Sequence, residues 1–77
     1  MKKGYKINAK LNNRIIKNVR HLLDSKGWTA EKLSFYSDVA KSNLSSAMNG
    51  KVNFTLQTLD KLATKGFHCD ISEFLKP

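Results

Sequence analysis

Cysteine and long apolar runs are nearly absent from this chain. Cys69 is its single cysteine, so no disulfide can form within the chain, and a reducing compartment is the simpler expectation. The basic N-terminus is not followed by an apolar run long enough for a signal peptide or a membrane span. We therefore expect a cytoplasmic protein that has no membrane partner.

Patterns typical of catalysis or metal binding are also missing. Neither His21 nor His68 has a carboxylate or a nucleophile at a spacing that suggests a catalytic set. His68, Cys69 and Asp70 are adjacent, which disfavours joint chelation, and neither a CxxC nor an HxxxH spacing occurs. The sequence therefore predicts no enzyme, no metal site and no cofactor.

Acidic residues are scarce, whereas basic residues are abundant and unevenly placed. Fourteen Lys and Arg face six Asp and Glu, which gives a formal net charge of +8 at pH 7. Eight of the basic residues fall within residues 1–26, where only Asp24 opposes them. Neutralisation of phosphates and release of their counterions favour such a chain on a polyanion. This balance indicates a nucleic-acid partner, although a merely solubilising tail over residues 1–10 remains an alternative.

The apolar spacing is helical throughout, and no strand pattern or internal repeat is present. Residues 1–10 lack periodicity and are predicted to form a flexible basic arm. From Leu11, apolar residues recur with a helical period as far as Leu23, and Gly27 suits a left-handed cap. The chain of 77 residues fits one domain, residues 11–77, with a small core that depends on close helix packing or on a partner subunit.

Capping residues divide the rest of the chain into four further short helices. Thr29 predicts the start of helix two, about residues 29–37, and Asp38 a turn before helix three, about residues 40–48. Asn49 and Gly50, both suited to positive φ, end helix three. A fourth helix runs from the Thr55 cap to Gly66, and Asp70 caps a fifth. The predicted fold is all-α, with five helices.

Helix three has an unusual outer face. Its inward positions are predicted to be Leu44, Ala47 and Met48, and the remaining residues from Lys41 to Ser46 include serines and an asparagine but no acid. Short hydroxyl and amide side chains allow a helix to lie deep in a DNA major groove and to hydrogen-bond base edges. A helix that is serine-rich without any function is the alternative interpretation.

Taken in order, these segments resemble one known family. The pieces are RIIKNVRHLL, the GWT entry to helix two, EKL, the DV turn, SNLSSAMNG, FTLQTLDKLA and DISEFL. Together they cover roughly residues 11–75 and resemble the lambda-repressor and Cro type of helix-turn-helix domain, also called XRE-like. The resemblance implies a compact five-helix domain of prokaryotic or phage origin, with helix three as the recognition helix in the major groove.

The resemblance also implies a set of site residues. The base-reading positions fall on the recognition helix, at Lys41, Ser42, Asn43 and Ser46. Lys41 would reach guanine O6 and N7 or a phosphate. The phosphate contacts implied are Thr29, Asn49, Lys51 and Asn53, with the backbone N–H groups that open helix two. Further contacts from the arm are expected at Lys2, Lys3 and Lys6.

Three positions depart from the family pattern. Ala30 stands where the family usually has a glutamine that holds phosphate and supports the recognition helix. Asp38 replaces the usual turn glycine and places an anion near the DNA. Gly66 stands where a core leucine is expected, with Phe67 as the residue that fills the gap. Extra positive charge from the arm and helix one is expected to compensate for the first two.

The function predicted is a sequence-specific regulator of transcription that binds double-stranded DNA, a repressor by default. One domain reads only a few base pairs, so we expect a homodimer on a palindromic operator. Its predicted contacts are Ile71, Phe74 and Leu75. The main alternative is an antitoxin or another protein-interaction module on the same fold, with DNA binding secondary; RNA binding is a third option. Sequence-specific, salt-dependent binding of duplex DNA separates the first interpretation from the others.

Overall fold

A computed structural model describes residues 9–77, and the regular structure in that range is entirely helical. Helix α1 is Ala9–Lys26, α2 is Ala30–Ser37, α3 is Lys41–Met48 and α4 is Leu56–Lys61. A π-helical turn, Leu62–Phe67, continues α4, and a 3-10 turn, Ile71–Phe74, follows. The all-α class is confirmed.

Local capping chemistry sets the helix boundaries. The Thr29 hydroxyl accepts the Lys32 N–H at 3.2 Å, the Thr55 hydroxyl accepts the Thr58 N–H at 3.1 Å, and the Asp70 carboxylate accepts the Ser72 N–H at 2.9 Å. Each bond satisfies a backbone donor that has no partner inside its helix. Gly50 ends α3 at φ +76°, whereas Asn49 has a φ of −91°, so only the glycine uses the left-handed conformation.

The core is one cluster to which every helix contributes. Among the completely buried side chains are Ile15 and Val19 of α1, Leu33 of α2 and Leu59 of α4. The π turn packs closely against α2, and the 3-10 turn packs against α1. A buried polar bond ties α1 to the segment before α4, since the Phe54 N–H donates to Asn12 Oδ1 at 2.8 Å. The core therefore closes around α2 and holds both it and α3 in position.

The predicted fifth helix is a single 3-10 turn. The Glu73 N–H donates to the Asp70 carbonyl and the Leu75 N–H to the Ser72 carbonyl, both at 3.0 Å, which is the spacing of a 3-10 turn. The Asn18 amide on α1 then donates to the carbonyls of Phe74, at 2.7 Å, and Lys76, at 2.8 Å. These bonds fix the turn against α1 and seat the Phe74 ring, which is 0% exposed, inside the core.

Contrary to the prediction from sequence, Gly66 does not end the fourth helix. It is buried within the π turn, and the helix ends at Phe67, where His68 adopts the left-handed conformation at φ 53°. A Cβ on Gly66 would lie 2.8 Å from Leu33 Cδ1, so a side chain at this position requires the buried Leu33 to shift. Phe67 is itself buried in the core.

Two further expectations concern the N-terminal part and the membrane. Helix α1 begins at Ala9, two residues before the predicted Leu11, so Ala9 and Lys10 belong to a helix and not to the arm. The predicted arm contacts Lys2, Lys3 and Lys6 lie outside the described residues. Within the described range, no helix combines the length and the apolar character that crossing a membrane requires.

Candidate nucleic-acid interface

Helices α2 and α3 form a rigid unit around a tight turn. Leu33, Val39 and Leu44 anchor the two helices and the turn in the core. The Ser34 hydroxyl donates to the Val39 carbonyl at 2.6 Å, across the turn. Asp38 adopts the left-handed conformation at φ 60°, and its N–H bonds to the Ser34 carbonyl at 3.1 Å. An aspartate therefore supplies the turn geometry at the position where the family usually has glycine.

Helix α3 presents a polar face to solvent, as its spacing predicted. Leu44, Ala47 and Met48 are buried. Lys41, Ser42, Asn43 and Ser45 are exposed, and Ser46 is half-buried. Ser42 and Ser46 are separated by one helical turn and share the outer face, so short hydroxyl side chains form its centre.

The Lys41 side chain forms an ion pair with Glu31 of α2. The Lys41 Nζ lies 2.9 Å from Glu31 Oε2, and both side chains are exposed. The hydrogen bond from Lys41, together with its positive charge, lowers the pKa of the Glu31 carboxyl. No sequence pattern assigned Glu31 to the site. The pairing links α2 to the first residue of α3, next to Ala30, where the family has its supporting glutamine.

The residues expected to contact phosphate lie at the two ends of the α2–α3 unit. Thr29 is exposed at the start of α2, and Asn49, Lys51 and Asn53 are exposed after α3. The Lys51 N–H donates to the Ser46 carbonyl at 2.9 Å, and the Asn49 amide donates to Ser45 Oγ at 3.4 Å. These bonds fold the segment after α3 back onto that helix.

Arg20 is a further basic group near this segment. Its guanidinium donates to the Met48 carbonyl at 3.4 Å, at the carboxyl end of α3. The sequence indicated that helix one is basic, but only the packing of the helices shows which of its cations reaches α3. Arg20 therefore adds positive charge beside Asn49 and Lys51.

A groove runs along the other flank of α3. Asn43 and the α2–α3 turn form one wall, and Gln57, Thr58 and Lys61 of α4 form the other. Asn43 therefore lies at the edge of the polar face. Gln57 and Lys61 are site candidates that the sequence analysis missed, because only the packing of α4 brings them next to Asn43.

The predicted dimer contacts occupy the C-terminal turn, away from this polar face. Ile71 is half-buried and Leu75 is 38% exposed. The prediction for Phe74 requires correction, because its ring is completely buried within the chain and offers no surface.

The described residues hold no group of three or more His, Cys, Asp or Glu side chains that could bind a metal ion.

Comparisons with known proteins agree with this geometry. The sequence profile of the helix-turn-helix family matches residues 19–74, which include α2, α3 and α4. The competence pilus inhibition repressor of Acinetobacter baylyi is 38% identical over 55 residues, covering 71% of this chain and 49% of the relative. The chain thus spans about half the length of the curated relative that it matches. No solved structure matches significantly. The chain belongs to the XRE-like helix-turn-helix family.

Proposed function

We propose that this chain is a sequence-specific regulator of transcription that binds double-stranded DNA and acts as a repressor in the cytoplasm. The observation that supports this most directly is the outer face of α3, which carries short polar side chains and Lys41 but no acid. Such a face fits the major groove without repelling phosphates. The relative that is named a repressor supports the same class of function.

The proposed roles divide the site into groups that read bases and groups that bind phosphate. Lys41, Ser42, Asn43 and Ser46 face base edges. Thr29, Asn49, Lys51 and Asn53, with the N–H groups that open α2, contact the backbone on either side. Only the first group carries sequence information; the second sets the position and orientation of the domain on the duplex.

The proposed operator is palindromic and is bound by a homodimer. One recognition helix contacts few base pairs, and two half-sites one helical turn apart multiply the specificity of each. Ile71 and Leu75 at the C-terminal turn supply the apolar surface for the dimer contact, while Phe74 supports that turn from inside the core.

Replacement of Lys41 and of Lys51 by alanine should have different consequences. Lys41→Ala should relax the preference at one base position, because a good contact between a side chain and a base discriminates by about 1–3 kcal/mol. Lys51→Ala should weaken binding to all duplexes by a similar factor and reduce the salt slope by about one. Binding titrations with an operator and its single-base variants measure both effects. Indistinguishable results for the two variants would contradict the roles assigned to Lys41 and Lys51.

Glu31→Gln should raise the affinity for duplexes of arbitrary sequence and lower the ratio of specific to non-specific affinity. The change removes a carboxylate near the phosphates and releases Lys41 Nζ to bind any nearby acceptor. Since exposed charge pairs contribute up to about 1 kcal/mol, we expect a rise of roughly three- to fivefold for a scrambled duplex. Fluorescence anisotropy at fixed salt measures it.

Glu73→Gln is the matched control for this prediction. It makes the same change of charge at the C-terminal turn, where Glu73 pairs with Lys76 at 2.9 Å. An equal rise in both variants would assign the effect to net charge and not to the Glu31–Lys41 pair.

Selection of bound duplexes from a random DNA pool tests the proposed function as a whole. We expect enrichment of an inverted repeat that binds far more tightly than a scrambled duplex at two salt concentrations. Salt-sensitive binding to every duplex without enrichment would contradict the proposal and favour the protein-interaction alternative.

A further inference from the structure

A surface of three aromatic side chains lies on and beside α2. This aromatic patch consists of Trp28, Phe35 and Tyr36. Phe35 is 83% exposed and Tyr36 is 44% exposed. The ring centroids of Phe35 and Tyr36 are 5.7 Å apart, and those of Tyr36 and Trp28 are 5.0 Å apart. Isolated exposed apolar residues are ordinary, but a contiguous apolar surface on a small domain marks an interaction site.

The core of the chain does not require Phe35. This residue follows the completely buried Leu33 by two positions, which turns it by about 200° around the helix, to the side opposite the core. The site proposed for DNA does not use it either, since the base-reading residues are on α3. Phe35 therefore has no role in the fold or in the DNA contacts proposed above.

The core beneath the patch holds Trp28 in place. The Trp28 ring stacks on the buried Phe67 ring with an interplanar angle of 11° and a centroid distance of 5.7 Å. Phe67 in turn contacts the buried Phe74 ring at 6.0 Å. Trp28 is therefore already ordered and loses little side-chain entropy when a partner binds, which favours association.

Two lysines border the patch. The Lys26 Nζ lies 5.2 Å from the centroid of the Trp28 ring, and the Lys32 Nζ lies 5.8 Å from the Trp28 and Tyr36 rings. The ion pairs of the described residues are Lys41–Glu31, Lys65–Asp38 and Lys76–Glu73, so neither bordering lysine is neutralised by a described carboxylate. The charge that complements this border is negative.

The charge argues against a second copy of this chain as the occupant. Two copies that met at this surface would bring their two lysine borders together, and juxtaposed like charges oppose association. Residues 1–8 contain three lysines and no acid, so they do not complement the border either.

Stacked bases also fit this surface poorly. One face of Trp28 is covered by Phe67, and the ammonium groups of Lys26 and Lys32 lie close to its ring. Stacking of successive bases requires several open ring faces, and Trp28 does not offer one. The remaining apolar surface is the exposed Phe35 ring and the exposed part of Tyr36, which suits the packing of apolar side chains.

From these observations we propose that the aromatic patch is a docking surface for an acidic segment of a partner protein that also carries apolar side chains. Phe35 and Tyr36 pack against the apolar residues of the segment, and Lys26 and Lys32 pair with its carboxylates. The proposal does not depend on DNA binding, because none of these four side chains belongs to the proposed base or phosphate contacts.

The test uses the full chain as bait for a displayed library of short random peptides. We expect enrichment of peptides that combine Asp or Glu with Leu, Phe or Trp. Phe35→Ser should weaken binding of the enriched peptide by about tenfold or more, as truncation of a central interface aromatic does. Lys32→Glu should also weaken it and should reduce its dependence on salt.

Leu56→Ser is the matched control, since Leu56 is 55% exposed on α4, outside the patch. It should leave peptide binding unchanged. Thermal melts establish that each variant is folded, and Lys32→Glu tests the same surface if Phe35→Ser melts early. The proposal is overturned if nothing is enriched, if the enriched peptides lack acids, or if neither patch variant affects binding. It is also overturned if Phe35→Ser instead abolishes binding of a single-stranded oligodeoxythymidine probe or self-association of the chain.

Discussion

Phe74→Ala should destabilise this protein more than any change at the surface. The ring is 0% exposed, and it contacts Phe67 inside the core. Truncation of a buried phenylalanine to alanine costs about 3–5 kcal/mol, because it removes buried apolar area and leaves a cavity. That loss is a large share of the total stability of a chain of this size, about 4–12 kcal/mol. We expect a drop in Tm of roughly 15–30 °C in thermal melts followed by circular dichroism.

Leu75→Ala is the control for this prediction, because Leu75 follows Phe74 directly and is 38% exposed. We expect it to change the stability of the folded chain by less than about 1 kcal/mol. If Leu75 supports a dimer, its replacement should also lower Tm at high protein concentration and make Tm depend less on that concentration, because less of the folded chain is then dimeric. Equal losses of stability at low protein concentration in the two variants would contradict the assignment of Phe74 to the core.

Gly66→Leu should also destabilise the fold, although leucine is the residue that the family pattern favours at this position. A Cβ on Gly66 would lie 2.8 Å from Leu33 Cδ1 and 3.4 Å from Ser37 Cβ, and both of those residues are completely buried. Overpacking of a filled core costs about 1–3 kcal/mol or more, and the site lies directly behind α2. Urea denaturation should therefore show a lower midpoint.

A compensating change makes this prediction specific. Leu33→Ala alone should cost about 2–5 kcal/mol, but in combination with Gly66→Leu the loss should be less than the sum of the two, because the new side chain fills the space that Leu33 leaves. Thr64→Leu, two residues earlier at an exposed position, controls for the effect of leucine in this turn. Strictly additive losses would show that Gly66 and Leu33 do not compete for the same space.

Both acidic residues near the proposed interface are paired with lysines. Glu31 pairs with Lys41 at 2.9 Å, and Asp38 lies 3.9 Å from Lys65. These exposed pairs contribute little to stability, because solvent screens them. They do, however, reduce the repulsion that either carboxylate would exert on a nearby phosphate. Lys65 therefore partly offsets the repulsion between Asp38 and the DNA that the family comparison led us to expect.

The helical elements and the polar face of α3 were predictable from sequence because their signals are local. A threonine cap acts on an N–H three residues away, as Thr29 does on Lys32, and helical periodicity assigns Leu44 to the inside. The order of α2, turn and α3 follows from the same short-range rules, and the basic charge follows from the composition. The extent of the last helix was less predictable, because a few residues after the Asp70 cap satisfy a 3-10 turn as well as an α-helix.

Contacts between distant residues were decided only by the tertiary structure. Glu31 and Lys41 are ten residues apart, and no periodicity rule pairs them. Leu33 fills the space beside Gly66. Phe74 is buried by elements that meet only when the core closes. The aromatic patch likewise depends on Phe67 reaching Trp28 from the end of the π turn. The sequence alone determined the helices and the chemistry of the polar face, since both arise within a few residues. Packing across the core determined which side chains are left to touch a partner, since burial depends on every element at once.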